Sequence, residues 1–380
     1  MDTMDFEQEF ENIRPYNNSE IPAAIDKIIA DENFNFICKF LFPEKEINEV
    51  INILKSIKTI DEFQVKISSK FLNFILKDTS DGLTSSGIEQ IKGKGHLFIA
   101  NHRDIVLDSA FLQLTLISNN IRTTQITVGD NLAKNPLFKE LGKINKMFIL
   151  YRGGTKIQMY KNAVLHSKYI HNLVREKNKS LWIAQRDGRT KDGNDKTQQG
   201  LLKMLLGDRR DIVPALKELD IVPMSISYEL ETCFKEKIKE TYISQYGEYK
   251  KEENEDMHCV VAGFFSNKKR IHIAFGTPIN NIIDDIDEEN LSNNEIIDVF
   301  VKEIDKQIYL NYMLCTYNYI AWDILNKKQD FSKEYTEEDK INFEKYIAEN
   351  IKDIDGNKEQ IREIAIGIYA NPVSNKLSVQ

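Results

Sequence analysis

Apolar residues along this chain change period twice. From about Ser19 to Lys77 they recur at three and four, the spacing of amphipathic helices: "SEIPAAIDKIIADENF" opens with Ser19 in a capping position and Glu20 in the first turn, and "IDEFQVKISSKFLNFILK" continues the pattern. From Gly93 the pattern shortens to the runs "HLFIA", "TQITV", "MFILY", "LWIA" and "IVPMSIS", separated by segments of helical period. Strands alternating with helices predict an α/β fold with a mixed, partly parallel central sheet flanked by helices. After "RIHIAFGTPI" the chain turns helical again, through "NNEIIDVFVKEIDKQIYLNYML" to "EQIREIAIGIYA". The pattern therefore predicts a helical N-terminal region at 1–90, an α/β domain at 91–285 and a helical C-terminal region at 286–380. The charged span "QYGEYKKEENEDMHC" reads as a solvated loop, and the basic run at 268–270 as a hairpin tip able to touch lipid headgroups.

Composition narrows the partners. With 380 residues, 41% of them hydrophobic, the chain can bury a large core. Its 59 acidic residues outnumber 51 basic ones, giving a net charge of −8, so the overall field does not favour nucleic acid and any phosphate site must be local. Cys38, Cys233, Cys259 and Cys315 are far apart and show no C-x-x-C or Cys/His spacing of a zinc site, which predicts reduced thiols and no metal. The acidic start "MDTMDFEQEF" lacks the basic and apolar parts of a signal peptide, and no apolar run reaches the roughly 18–20 residues of a membrane span. These features predict a cytoplasmic protein with, at most, peripheral contact with a membrane surface.

Candidate chemistry begins at "NHRDIVLD", residues 101–108. His102-Arg103-Asp104 spells the start of a kinase catalytic loop, but that loop needs Asn five residues after its Asp, and Ser109 stands there. A Gly-rich phosphate loop and an Asp-Phe-Gly motif are also missing. The alternative is an acid–base pair: His102 follows a buried strand, where α/β folds place ligands, and Asp108 falls in the first turn of the next helix. Asp104 is the other carboxylate within reach by sequence. Downstream, "MFILYRGG" is a strand ending at Arg152 beside two glycines. "LWIAQRDGRTKDGND" runs from strand into a loop holding Arg186, Asp187, Gly188, Arg189 and Lys191, and "IVPMSIS" carries Pro223 near its start. Guanidinium groups beside a glycine suit a bound phosphate.

These four blocks, in this order and followed by "IHIAFGTPI", resemble the glycerophospholipid acyltransferase family over roughly residues 95–280. The resemblance implies an O-acyltransferase of phospholipid biosynthesis. It would move a fatty acyl group from acyl-CoA or acyl carrier protein to a hydroxyl of glycerol-3-phosphate or a lysophospholipid, with no cofactor. It casts His102 as general base and Asp108 as its orienting carboxylate, with Arg152, Asp187, Gly188, Arg189 and Pro223 lining the acceptor site. Two departures stand out. Five residues separate His102 from Asp108 where the family has four, and "RDGRT" aligns more securely at Arg189 than at Asp187. Two other readings use the same scaffold: transfer to an acceptor without phosphate, such as an aminolipid, and a catalytically silent lipid-binding protein.

Overall fold

The structure is a computed structural model that describes residues 8–42, 44–252, 255–283, 286 and 288–380. Most of the acidic start read above lies outside the described residues. Among the described residues the N-terminal region carries helices α1 (Ile21–Ala30), α2 (Phe34–Leu41), α3 (Ile47–Ser56), α4 (Ile60–Phe63) and α5 (Ser69–Thr79). Ser19 does not cap α1. A 3-10 turn over Asn18–Glu20 leads into the helix, and Asn17 and Glu20 form a reciprocal capping box around that turn. Ile21, Ile25, Val50, Leu54 and Phe63 close a small core of their own with Ile144.

The sheet begins earlier than residue 91. Strand β1 (Ser80–Ser86) is polar, "SDGLTSS", and lies at one edge of seven strands ordered β1-β7-β6-β2-β5-β3-β4. The others are β2 (Leu97–Ala100), β3 (Gln125–Gly129), β4 (Met147–Leu150), β5 (Leu181–Ala184), β6 (Ile221–Tyr228) and β7 (Lys269–Phe275). Every neighbouring pair is parallel except β6 with β7. The five apolar runs read as strands are strands, and the fold is α/β with helical regions at both ends. β2 and β5 are covered on both faces, which is why they read as unbroken apolar runs. Leu97, Ile99, Leu181 and Ile183 face one core, and Phe98, Ala100 and Trp182 face the other.

Helices α6 (Leu107–Ser118), α7 (Pro136–Ile144), α8 (Lys156–His171), α9 (Gln199–Leu206) and α10 (Ile212–Glu218) alternate with the strands, and α11 (Phe234–Ser244) and α12 (Glu255–Phe265) lie between β6 and β7. The last residues of the span read as a solvated loop are therefore helical, with Cys259 buried; residues 253 and 254 of that span lie outside the described residues. The C-terminal helices are α13 (Asn293–Asn311), α14 (Thr316–Asn326), α15 (Glu337–Ile351) and α16 (Lys358–Leu377). α13 supplies Ile297, Phe300 and Ile304 to the sheet core, whereas α14, α15 and α16 pack with Phe234 and Ile238 of α11 into a third core.

Residues 268–270 are not a free hairpin tip. Lys268 is fully buried, and its ammonium donates to Thr79 Oγ1 at 2.9 Å and to the Ser266 carbonyl at 2.6 Å. Three hydrogen-bond acceptors make this burial tolerable, and desolvation lowers its pKa to about 8. Arg270 pairs with Glu229 at 2.6 Å. Among the described residues, no helix is long and apolar enough to cross a membrane.

Candidate active site

The end of β2 delivers Asn101 and His102 to the carboxyl edge of the sheet. The imidazole Nδ1 lies 2.8 Å from Asp108 Oδ2, in the first turn of α6. The same oxygen accepts the backbone N–H of Arg103 at 2.6 Å and of Asp104 at 2.9 Å, while Tyr228 at the end of β6 donates its hydroxyl to Asp108 Oδ1 at 2.7 Å. Burial, with the Asp108 charge beside it, pushes the Tyr228 hydroxyl far above its ordinary range, so Tyr228 remains a donor. Asp108 is thus a buried carboxylate held by four donors if Nδ1 carries its proton. That tautomer leaves Nε2 free to take a proton.

Asp104 does something else. Its Oδ1 accepts the N–H groups of Val106 at 3.0 Å and Leu107 at 2.9 Å, capping the start of α6. The extra residue between His102 and Asp108 is absorbed in this capped loop before the helix begins. On its other side Asp104 meets Gly263 of α12, where an added Cβ would lie 2.5 Å from Asp104 Oδ2. The imidazole itself is largely buried and stands edge-on to Trp182 of β5, with ring centroids 5.6 Å apart.

The loop after β5 is tied directly to this corner. Gln185 N–H donates to the Ala100 carbonyl and Thr190 N–H to the His102 carbonyl, both at 2.7 Å. Beneath the loop lies a buried charge network that the sequence reading missed. The Arg103 guanidinium contacts Asp195 at 2.5 Å and Glu231 at 3.3 Å, and stacks over Tyr312 at 5.1 Å. Lys237 of α11 donates to the Arg103 carbonyl at 2.6 Å and also pairs with Glu231. Two cations and two carboxylates balance, and Asp195 accepts further bonds from Thr190 at 2.7 Å and Asn101 at 3.2 Å. Tyr312 and the loop residue Gly193, which fits under the Ile368 carbonyl of α16, bring the C-terminal helices to bear on the same corner.

The remaining candidates fall on two sides of His102. Arg152, just past β4, is exposed and pairs with Asp187 at 2.5 Å, so the second and third sequence blocks meet. Gly188, beside Asp187, takes φ +71°, a left-handed turn with open space where a side chain would be. Arg189 is buried on the other side, near Cys259, Cys233 and Asp104, with its Nη1 lacking a hydrogen-bond partner. No contact joins Arg152 to Arg189 among the described residues. Pro223 is buried inside β6, in register with Ile99 of β2, and its carbonyl accepts the Gly276 N–H at 2.8 Å. It shapes the strand next to the His102 strand. Lys191, which the sequence placed near the site, pairs with Glu240.

A histidine held against a buried carboxylate at the carboxyl edge of a mostly parallel sheet, with a cation-bearing loop beside it, is an arrangement chemically able to take a proton from a hydroxyl. Residues 82–227 match the family described as Acyltransferase. A similar solved structure is that of the 1-acyl-sn-glycerophosphate (LPA) acyltransferase PlsC from Thermotoga maritima. It is 13% identical, with a TM-score of 0.36, over 76% of this chain and 92% of that one. No curated protein matches.

Proposed function

We propose that the protein transfers a fatty acyl group from an acyl thioester, acyl-CoA or acyl carrier protein, to a hydroxyl of glycerol-3-phosphate or a lysophosphatidate. The observation that carries this reading is the His102–Asp108 contact of 2.8 Å inside an acyltransferase domain. His102 Nε2 takes the hydroxyl proton as the acceptor oxygen attacks the thioester carbonyl, and Asp108 steadies the resulting imidazolium. The carbon–sulfur bond then breaks, and the proton passes from His102 to the departing thiolate. No acyl-enzyme forms, since acceptor oxygen and carbonyl carbon meet directly. The lengthened His-Asp spacing is the feature that favours a silent lipid-binding protein, and the 2.8 Å His102–Asp108 contact speaks against it.

Arg152 is the accessible cation for the acceptor phosphate. It is already neutralised by Asp187, so a phosphate binds there by displacing that carboxylate. Arg189 is the second candidate, acting from its buried position. A membrane contact suits the stretch that follows Arg152: Ile157 and Tyr160, 69% and 57% exposed, share one face at the start of α8 beside Lys156 and Lys161. This stretch replaces 268–270 as the surface on which a lipid acceptor would be met. Purified protein incubated with labelled acyl thioester and a panel of hydroxyl acceptors tests the function. Transfer to glycerol-3-phosphate or lysophosphatidate supports it, and transfer only to acceptors without phosphate would reassign the arginines.

A further inference from the structure

The opposite end of the sheet, where β2, β3, β4 and β5 begin, carries a second concentration of charged side chains, away from His102. Two clefts of about 110 and about 410 Å³ adjoin there, sharing Arg122, Thr123, Lys179 and Ser180. The smaller is also lined by Arg14, Lys146 and Lys177, and the larger by Lys92 and Lys94. This is a dense positive region on a chain of net charge −8.

Carboxylates neutralise only part of it. Arg14 pairs with Glu11 and with Glu20 (2.7 Å), Lys146 with Asp61 (2.7 Å) and Lys94 with Asp220 (2.9 Å). Arg122 and Lys179 make no ion pair among the described residues, although both feel the Asp61 charge. Burial and then the charges of Arg122, Lys177 and Lys146 lower the Lys179 pKa, which is the mark of cations held together against their repulsion. Lys146 takes a left-handed backbone, φ +66°, at the turn before β4, a conformation uncommon for any residue with a side chain. An anion between Arg122 and Lys179 would relieve that repulsion, and the larger cleft lies within the roughly 300–1,000 Å³ of small-molecule sites.

We propose that this paired cleft binds a phosphate-bearing molecule with at least two negative charges, its phosphate lying between Arg122 and Lys179. The site is separate from His102: a four-residue strand such as β2 spans roughly 13 Å, and the cleft and the imidazole lie beyond its opposite ends. It stands whether or not the chain transfers acyl groups.

The test is equilibrium binding to the full-length protein at physiological salt, followed by calorimetry with pyrophosphate and ADP, and by co-sedimentation with vesicles containing phosphatidate. Each probe is compared with chloride. Saturable binding of a probe is expected, weakened about tenfold or more in the Arg122→Ser, Lys179→Ser double variant through loss of charge-assisted bonds. Binding should be unchanged in His102→Ala and in Lys345→Ser, a substitution on the exposed face of α15. Thermal unfolding of each variant without ligand shows whether it remains folded. Soluble probes binding alone would identify a free phosphate compound, and vesicles binding alone a lipid headgroup; either supports the site. Absence of binding by every probe, or equal binding by the wild type and a folded double variant, would overturn it.

Discussion

The two sides of the candidate active site are built differently. Around His102 the main charged groups are buried and held by several partners: Asp108 contacts His102, two backbone N–H groups and Tyr228, Asp104 caps a helix, and Arg103 is sealed among Asp195, Glu231 and Tyr312. On the Arg152 side a single exposed ion pair to Asp187 faces solvent, beside glycines at positive φ. A base must be held in one orientation and one tautomer, which favours rigid burial. A phosphate clamp must open to admit its ligand, which favours a weak, exposed pair. The contrast implies that damage to the first side appears in turnover or folding, and damage to the second in acceptor affinity.

The largest effects should come from the dyad. His102→Ala is expected to lower kcat by about 10²–10⁴-fold with little change in thermal unfolding, and Asp108→Asn to cost nearly as much. Asp104→Asn should retain far more activity, because Asp104 caps α6 and does not touch the imidazole. The reverse order in a steady-state assay would exchange the roles of the two carboxylates.

Arg103→Met should act on folding. It leaves Asp195 and Glu231 as buried carboxylates without their guanidinium, a change worth on the order of 3–5 kcal/mol in denaturant unfolding. An Arg103→Met protein as stable as wild type would show that the network is not what holds the corner.

His166, on α8 behind the Arg152 loop, should set an acid limit. Its Nε2 accepts the Tyr151 N–H, and burial lowers its pKa to about 4 from the usual 6.5. The unfolded chain therefore binds a proton that the folded one refuses. Stability from this group is present above pH 6.5 and is lost as pH falls toward 4, by on the order of 2–3 kcal/mol. His166→Gln should flatten that part of the stability profile, and an unchanged slope would contradict the assignment.

The smallest effects sharpen the comparison most. Arg152→Ala should raise the KM for a phosphate acceptor more than for the acyl donor, with a stability change of about 1 kcal/mol or less for so exposed a pair. Asp187→Asn should lower the acceptor KM by freeing Arg152. If Asp187→Asn instead raises it, Asp187 contacts the acceptor itself.

The order of blocks and the five apolar strands were legible because buried parallel strands read as continuous apolar runs and their loops carry the chemistry. β1 was not, since an edge strand with Leu83 as its one large apolar residue has no period to detect. Arg103 looked like part of a kinase motif, and its partners Asp195 and Glu231 lie too far along the chain for local pattern to pair them. Lys268 misled for a related reason: a run of three cations reads as exposed, yet the first of them turns inward to satisfy backbone carbonyls. The extra residue between His102 and Asp108 shifted a spacing without breaking the contact, because the loop before α6 had room for it.

The most direct measurement of the central claim is single-turnover transfer of a labelled acyl group from a thioester to glycerol-3-phosphate or lysophosphatidate, with wild type and His102→Ala side by side. The wild type is expected to form an oxygen ester with no labelled protein intermediate, and His102→Ala to react at least about a hundredfold more slowly. Equal rates for the two proteins, or label trapped on the wild-type chain as a competent intermediate, would contradict it.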